Sequence, residues 1–431
     1  MTASTSTATI TLDGLQSVLE FPLVQALFGR RSRRFSLGAS IPDGPQAFTS
    51  RQKPLPLTEL ERMLVLTAAA GNSGWHHMIT RHGRYAPNFS NYSAAAGGRT
   101  FPSAAGFHTS EVFFTDDSGL YLFETRDAPA QKAQDEHFDL EHLLALHRKR
   151  IRKLETGRLN IPPNEPHMEG HNTWCVNQPG SLLLIPVADI AQHLIAALCN
   201  IVENGYFLYD DVHREQIPGL ERFRQLLGLE RSYALSYMEQ MCLTAGTAEL
   251  STCCYAGMLI LQAIGLGGWM FNGIYPSTML GASGDPAIPG LGFRYDTDSR
   301  WALPNPTGRA GVFEAFCPPH YPDMHAAVAA FIERKFGSGG PFHPDTPGPW
   351  LESRRMRLSA KRHCDAFIEC VGLMAQYVYD RFGKFPGTVP SVLVTTYLQA
   401  HHLDLDFYDH YFQPGAYLDT HARHMALWHP D

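Results

Sequence analysis

Phe28-Gly29-Arg30-Arg31-Ser32-Arg33-Arg34-Phe35 is the stretch that says most about the fold and chemistry of this chain. Its guanidinium groups can bind phosphate through paired hydrogen bonds at any working pH, and the serine hydroxyl adds a short donor. The chain as a whole has a net charge of −7, so the cluster is a local exception. It is typical of a phosphate-binding site, but equally of a solvated basic helix end or a short nucleic-acid patch.

The segments on either side of this cluster predict the secondary structure that holds it. An apolar run over 15–27 precedes it and predicts a helix, and a Pro/Gly-containing loop over 38–56 follows it. Helical spacing over 57–70, with Thr58 as a cap and Gly71 as a stop, predicts a second helix. Residues 72–101 predict a long loop whose aromatic residues either shape a pocket or pack under the loop: Trp75, Tyr85, Phe89 and Tyr92.

A second segment, 102–110, is built of small residues that let a flat ligand approach the backbone. It leads into Glu111-Val112-Phe113-Phe114, a polar turn over 116–119, and Leu120-Tyr121-Leu122-Phe123. The β-propensity of both runs and the turn between them predict a hairpin.

The composition changes over 128–180, and we interpret this segment as an insertion between core elements. It contains a basic amphipathic helix predicted over 140–154 and a Pro/Asn/His-rich continuation. A strand over 181–187, a helix over about 189–204, and helices near 220–227 and 231–242 follow.

A third segment, 253–274, contains no charged residue and is long enough to span a membrane. Five glycines, Gln262, Asn272 and the lack of a basic flank favour a buried helix that runs into a glycine-rich loop. Beyond it we predict a strand over 290–295, helices over 324–336 and 355–382, and a His-rich end over 401–430.

In this order, the three segments resemble the nitroreductase-like flavoproteins, in the branch that includes the azoline dehydrogenases of peptide natural-product pathways. Family members hold the FMN phosphate with an Arg-x-Ser-x-Arg/Lys motif, line the isoalloxazine with a Pro-Ser-Ala/Ser turn, and face flavin N5 with a residue-Gly pair after a Gly-Leu-Gly run. A later strand supplies a further basic residue, for which Arg294 and Arg309 are candidates. The cofactor-binding residues that the resemblance implies are Arg30, Arg31, Ser32, Arg34, Pro102, Ser103, Ala104, Gly106, Gly267, Asn272, Gly273 and Arg309. The Lys-Tyr pair of the azoline dehydrogenases is not evident.

The resemblance implies an α+β fold, with a mixed β-sheet flanked by helices. The flavin domain would occupy 1–127 and 181–296, with a large insertion at 128–180 and a C-terminal extension over 297–431 that shapes the pocket or a dimer interface. It also implies FMN, two-electron oxidation or reduction of a small or peptide-derived substrate, and an intertwined homodimer. The electron donor could be NAD(P)H, with dioxygen as acceptor in the opposite direction. The strand-like run 391–396 would cross to the partner.

Histidine is abundant, with 21 residues, so a metal site has to be weighed. The pair His167 and His171 has helical spacing, but Gly170 and Pro166 make a helix poor there. The cluster over 401–424 is better explained as a polar, partly buried tail, and we expect no metal. His402 or Tyr408 from this group could donate a proton to the substrate.

The remaining expectations concern partners and location. Eight scattered cysteines without Cys-x-x-Cys spacing favour reduced thiols, and the first nine residues lack the features of a signal peptide, so we expect a cytoplasmic protein. The mild acidity argues against nucleic-acid binding. The rival functions are a flavin-free or flavin-sequestering binding protein on the same scaffold, and a metal-dependent enzyme that uses the histidine tail.

Overall fold

A computed structural model describes residues 13–79, 88–128, 139–228, 230–389 and 396–430. Its helices are α1 over 13–20, α2 (Leu23–Gly29), α3 (Glu59–Ala70), α4 (Leu140–Arg148), α5 (Ile190–Glu203), α6 (Leu235–Ile264), α7 (Pro276–Leu280), α8 (Met324–Phe336), α9 (Ser353–Leu358), α10 (Asp365–Phe382), α11 (Leu405–Tyr411) and α12 (Asp419–Trp428). Single 3-10 turns lie at Ala104–Gly106, Gly170–Asn172 and Leu220–Phe223.

Strands form several sheets between these helices. They are β1 (Ser40–Ile41), β2 (Phe48–Thr49), β3 (Asn72–Trp75), β4 (Gly97–Arg99), β5 (Ser110–Asp116), β6 (Gly119–Phe123), β7 (Ile151–Thr156), β8 (Leu182–Asp189), β9 (Phe207–Asp210), β10 (Glu215–Gln216), β11 (Ser232–Ala234), β12 (Gly267–Phe271), β13 (Arg294–Asp296), β14 (Asn305–Arg309), β15 (Phe313–Glu314), β16 (Thr388–Val389) and β17 (Tyr397–His401).

The central sheet has the order β12-β17-β8-β5-β6-β7, with β16 beside β8. Every residue of β8 is buried, which explains why its sequence reads as an apolar run without alternation. Pairing in this sheet is antiparallel in the part of the chain described, and parallel pairing occurs between β9 and β11 in a small sheet. The α+β architecture, with sheets flanked by helices, agrees with the prediction.

Two clusters of buried side chains hold the layers together. One joins α3 and α6 to the central sheet through residues such as Met63, Phe113 and Leu261. The other joins α5, α8 and α10 through residues such as Leu194 and Phe331. The C-terminal extension enters the core as well, because β17 lies between β12 and β8.

Helix α6 runs through the middle of the molecule. It is long and apolar enough to cross a membrane by length and composition, yet 56% of its most apolar window is buried inside the structure. Glu249, buried near its centre, is hydrogen-bonded to protein hydroxyls. This combination is weak evidence for a membrane span and favours a core helix.

Several predicted elements are confirmed at nearly the expected positions. These include α3 with its Thr58 cap, the hairpin of β5 and β6, β8, α5 and α8. The cysteines are free thiols and all but Cys364 are buried.

The predicted bounds or type of several other elements were wrong. Pro22 divides the predicted helix 15–27 into α1 and α2, because its ring cannot continue a helix. The predicted helix 140–154 ends at Arg148, and its second half is β7, which pairs with β6. The segment 128–180 therefore contributes an edge strand to the central sheet. The glycine-rich loop after α6 is strand β12, and the predicted helix 355–382 is interrupted between α9 and α10.

Candidate functional site

A cavity of about 450 Å³ opens beside the segment that follows α2. Arg31, Ser32 and Arg34 line it on one side, and we call it the arginine cleft. The opposite wall consists of aromatic and small residues from the C-terminal extension together with Trp174: Phe407, Tyr408, Phe412, Gly415 and Ala416. The sequence-predicted phosphate motif and the C-terminal extension thus form one concave surface.

The arginines of the cleft are not neutralised by any acidic side chain that the structure describes. Among the described residues, none of Arg30, Arg31, Arg33 and Arg34 forms an ion pair with a carboxylate. Arg31 donates only to the backbone carbonyls of Phe28 and Arg30, at 3.0 and 2.7 Å, and its side chain is exposed. The Arg34 guanidinium lies 5.9 Å from the ring centre of Trp269. Positive charge without a counter-charge, on one side of a cavity, is what an anionic ligand requires.

Arg33 has a different role from its neighbours. Its side chain is 2% exposed and donates to the carbonyl oxygens of Ala416 and Gly29 and to Oε1 of Gln262, at 2.8, 3.1 and 2.8 Å. Burial lowers the pKa of Arg33 to about 10, which leaves it charged at neutral pH. Its donors are occupied by the protein, so it ties α2, α6 and the C-terminal wall together.

The aromatic wall is rigidly packed. Phe35 stacks on Phe407 with ring centres 4.1 Å apart and planes 10° apart, and the Phe35 N–H donates to the Tyr408 hydroxyl oxygen at 3.3 Å. Burial raises the pKa of Tyr408 to about 12, so the phenol keeps its proton at neutral pH. Tyr408, predicted as a proton donor, therefore lies at the cleft in its protonated form.

The predicted flavin-facing turn lies elsewhere on the chain. Ser103 donates to Glu249 of α6, whereas the arginine segment reaches α6 at Gln262. These two positions are about 20 Å apart along the helix. Pro102 and Ala104 are exposed, and Gly106, at φ +67, is buried against His76. Within one chain, the turn and the arginine cleft do not meet.

Glu249 was not identified from the sequence. Its carboxylate accepts from the hydroxyls of Ser103, Thr109 and Ser110, the last at 2.5 Å, and from the N–H of Thr109 at 3.1 Å. Burial raises the pKa of Glu249, and these donors oppose the rise. An acidic residue flanked by small and apolar residues near the centre of α6 was the available signal.

The predicted N5-facing pair, Asn272 and Gly273, directly follows β12, and Gly267 of the preceding glycine run begins this strand. Gly267 pairs with His401 of β17, and Gly268 donates its N–H to the Arg33 carbonyl at 2.9 Å. The Asn272 carbonyl accepts from Asn172 Nδ2 at 2.7 Å, and the Gly273 carbonyl accepts from the Glu169 N–H at 2.8 Å. β12 thus begins beside the arginine segment and ends beneath the 169–172 turn.

Two predicted site residues are corrected by their placement. Arg309 does not line the cleft, because it pairs with Glu155 at 3.0 Å on the small β13-β14-β15 sheet. His402 does not face the cleft either. It is 2% exposed and its Nε2 lies 3.1 Å from Glu61 Oε1.

The described aromatic residues of the 72–101 segment, predicted either to shape the pocket or to pack under the loop, lie away from the arginine cleft. Trp75 lies in β3, Phe89 packs edge-on against Trp350, and the Tyr92 hydroxyl accepts from Asn204. None of these three lines the arginine cleft. Tyr85 and residues 391–395 fall outside the described residues.

Comparison with known proteins adds little to this picture. No family model matches the chain, and no curated protein matches it. One solved structure that resembles it is a candidate nitroreductase from Ralstonia eutropha JMP134, 15% identical over 58% of this chain and 70% of that chain, with a TM-score of 0.27. That TM-score is too low to support an argument about fold or chemistry.

Proposed function

We propose that this protein is an FMN-dependent oxidoreductase that transfers two electrons, as hydride, to or from a small or peptide-derived organic substrate. One observation carries the proposal: Arg31, Ser32 and Arg34 line a cavity of about 450 Å³ and have no carboxylate partner among the described residues. The volume lies in the range of small-molecule and cofactor sites. The resemblance of the three sequence segments to nitroreductase-like proteins supports the same choice.

The residues present suit the phosphate end of the cofactor. Arg31 and Arg34 supply charged donors and Ser32 a hydroxyl, the donor set that a phosphate dianion prefers. Arg33 holds this segment against α6, so the donors are fixed before a ligand arrives. FMN, when bound, would supply the hydride chemistry.

The aromatic wall would exclude water and orient a substrate. Trp174, Phe407 and Phe412 present apolar surface to the cavity, on which a flat ring can stack. Tyr408 keeps its proton at neutral pH and is the group within the wall that can donate a hydrogen bond from its hydroxyl.

A homodimer would bring the remaining predicted residues to the cleft. Pro102 and Ala104 are exposed on the surface of the chain, where a partner's cofactor could contact them. The neighbouring face of α2 is exposed and apolar, with Leu23 at 66% and Phe28 at 78%. We therefore propose that the turn at 102–106 of one protomer faces the arginine cleft of its partner.

The first experiment is the absorbance of the purified chain near 450 nm, the band expected for a bound flavin, about one FMN per chain being released on heating. Arg34→Ala should weaken FMN binding by at least about tenfold, since charged hydrogen bonds to the phosphate are lost. Arg309→Ala is the matched control and should bind FMN like the wild type. A colourless protein that does not take up added FMN, or equal losses in both variants, would refute the proposal.

Turnover is tested separately. Bleaching of the 450 nm band on addition of NAD(P)H under nitrogen would identify a reductase, and bleaching by substrate with recovery in air would identify an oxidase (the wavelength is about that of any oxidised flavin). A band that responds to neither would favour a flavin-sequestering protein. The aromatic wall formed by Phe407, Tyr408 and Phe412, against which a flavin ring could be held, is the feature that makes this outcome worth testing.

A further inference from the structure

Four side chains that are far apart in sequence meet on the inner side of the C-terminal extension. Glu61 comes from α3, His402 directly follows β17, His424 belongs to α12, and His429 follows α12. One ligand-type atom from each lies within 4.8 Å of all the others. Among the described residues, this is the group of histidine, cysteine and acidic side chains that gathers so closely.

The distances match the first coordination shell of a small metal ion. Glu61 Oε1 lies 3.1 Å from Nε2 of His402, 2.9 Å from Nε2 of His424 and 3.0 Å from Nε2 of His429. Four ligands at Zn–N and Zn–O bond lengths of about 2.0–2.1 Å would be about 3.3 Å apart in a tetrahedron. A small inward or outward adjustment of the side chains would therefore accommodate the ion.

In two of the histidines, the hydrogen bond made by Nδ1 determines that Nε2 faces the middle of the four-residue group. His402 Nδ1 donates to the Leu55 carbonyl at 2.8 Å, and His424 Nδ1 donates to the Ile264 carbonyl at 2.9 Å. A carbonyl oxygen only accepts, so in the neutral ring the proton is on Nδ1 and the Nε2 lone pair points at the carboxylate. A lone pair facing a carboxylate oxygen is repulsive unless a proton or a metal ion lies between them. An Nδ1–H held by a backbone carbonyl is the arrangement that orients histidine metal ligands.

The carboxylate is oriented in the same way. Glu61 Oε2 accepts from the Thr58 N–H at 2.6 Å and from the Thr58 hydroxyl at 2.8 Å, which leaves Oε1 for the three imidazoles. Glu61 is fully buried, and the side chains of His402 and His424 are 2% and 5% exposed. His429, at 15%, is on the side from which an ion could enter.

We propose that Glu61, His402, His424 and His429 bind one divalent transition-metal ion, for which Zn²⁺ is the best fit. Three imidazoles and one carboxylate are ligands that zinc prefers over magnesium or calcium, and four protein ligands leave no open position for a substrate. The site would therefore be structural. His402 and His424 bracket residues 403–423 in sequence, and this segment contains the cleft residues Phe407, Tyr408 and Ala416. The metal would hold both ends of the cleft wall against α3.

The test uses the full chain without a metal-affinity tag. Elemental analysis of the purified protein should give about one zinc per chain. After dialysis against a chelator, calorimetric titration with ZnSO₄ should restore one site. Chelation should lower the melting temperature, and added ZnSO₄ should bring it back.

Two variants locate the site. His429→Ala removes the most exposed ligand and should reduce zinc affinity by at least about tenfold. His421→Ala is the matched control, because His421 is a buried histidine of α12, the helix that ends just before His429, and is not part of the group. It should bind zinc like the wild type. Substitution with Co²⁺ should give the intense visible bands of a tetrahedral site in wild type and control.

Three results would overturn the proposal. The first is a purified chain without stoichiometric metal that also fails to bind added ZnSO₄ or CoCl₂. The second is unchanged zinc binding in His429→Ala and His402→Ala, which would place the ion elsewhere. The third is an equal loss of binding in His421→Ala, which would trace the effect to disruption of α12. None of these results depends on whether the chain binds FMN.

Discussion

Arg33 and Arg31 are two positions apart, but their substitution should destabilise the protein to very different extents. Arg33→Ala removes a buried cation and leaves three acceptors, on Gln262, Ala416 and Gly29, without a donor. We expect it to lower the free energy of unfolding by about 3 kcal/mol. Arg31→Ala removes an exposed side chain and should change that free energy by less than about 0.5 kcal/mol. Urea unfolding of both variants measures the difference.

The outcome distinguishes structural from ligand-binding arginines. If Arg31→Ala is as destabilising as Arg33→Ala, the segment after α2 is a purely structural element, and the anion site loses its main support. If Arg33→Ala does not fold, Arg33→Lys keeps the charge and serves as the milder substitution.

Glu111 gives a prediction about pH. It lies on β5, is 5% exposed, and accepts from the Arg126 N–H at 3.1 Å; burial raises its pKa to about 7. A folded-state pKa above the unfolded value of about 4.3 means that the stabilising contribution is complete below pH 4.3. It is lost as the pH rises through 7.

The variant Glu111→Gln cannot ionise and should escape this loss. Between pH 5 and pH 8, the wild type should therefore lose up to about 3 kcal/mol of unfolding free energy relative to Glu111→Gln. Urea unfolding at the two pH values tests this. Glu369→Gln, at an exposed surface ion pair with Arg222, is the control and should parallel the wild type. Parallel behaviour of all three proteins would contradict the assignment.

At the scale of elements, α3 depends on a two-sided cap. The Thr58 hydroxyl accepts from the Glu61 N–H at 3.3 Å, and the Thr58 N–H donates back to the Glu61 carboxylate at 2.6 Å. Thr58→Ala should lower the unfolding free energy by about 1–2 kcal/mol, because a helix N-cap and a donor to a buried carboxylate are both lost.

A matched control for this prediction is Thr244→Ala. Thr244 is a solvent-exposed residue well inside the ends of α6, and its hydroxyl donates to the Gln240 carbonyl at 2.8 Å. Its replacement by alanine should change the free energy of unfolding by less than about 0.5 kcal/mol. Thermal melting of both variants gives the comparison. Equal melting temperatures for Thr58→Ala and the wild type would show that the cap contributes nothing to stability.

Elements with local signals could be predicted from the sequence. The capping residues Thr58 and Glu61 and the stop at Gly71 predict α3, and two apolar runs joined by a polar turn predict the β5–β6 hairpin. The boundary between α4 and β7 could not be predicted, because the basic residues after Arg148 are compatible with a helix and become a strand only by pairing with β6. Tertiary pairing overrides propensity there.

The candidate site divides in the same way. The arginine segment could be predicted because its chemistry is contiguous in sequence. The sequence could not predict the roles of three other residues, Glu249, Glu61 and His429. Each of them contacts a polar side chain more than a hundred positions away in the sequence. His402 was singled out for proton transfer, but the structure surrounds it with Glu61 and two further histidines.

At the scale of the whole molecule, the exposed apolar face of α1 and α2 supports the proposed homodimer. Leu19, Leu23, Val24, Leu27 and Phe28 are between 41% and 78% exposed, and Tyr255 of α6 lies beside Arg30. Isolated exposed apolar residues are normal on protein surfaces, but a contiguous group next to a candidate site is typical of an interface. A second copy of this chain is the partner that would also bring Pro102 and Ala104 to the arginine cleft.

Phe28→Glu should therefore convert a dimer of two 48.0 kDa chains into a monomer, because it places a charge in the centre of the proposed interface. Light scattering after size-exclusion chromatography measures the mass. Leu351→Glu changes an even more exposed apolar residue, two positions before α9, and should leave the dimer intact. If the partner's turn completes the cofactor site, the Phe28→Glu monomer should also lose FMN while keeping the melting temperature of its own core. A wild-type monomer at micromolar concentration that still holds FMN would show that one chain is sufficient.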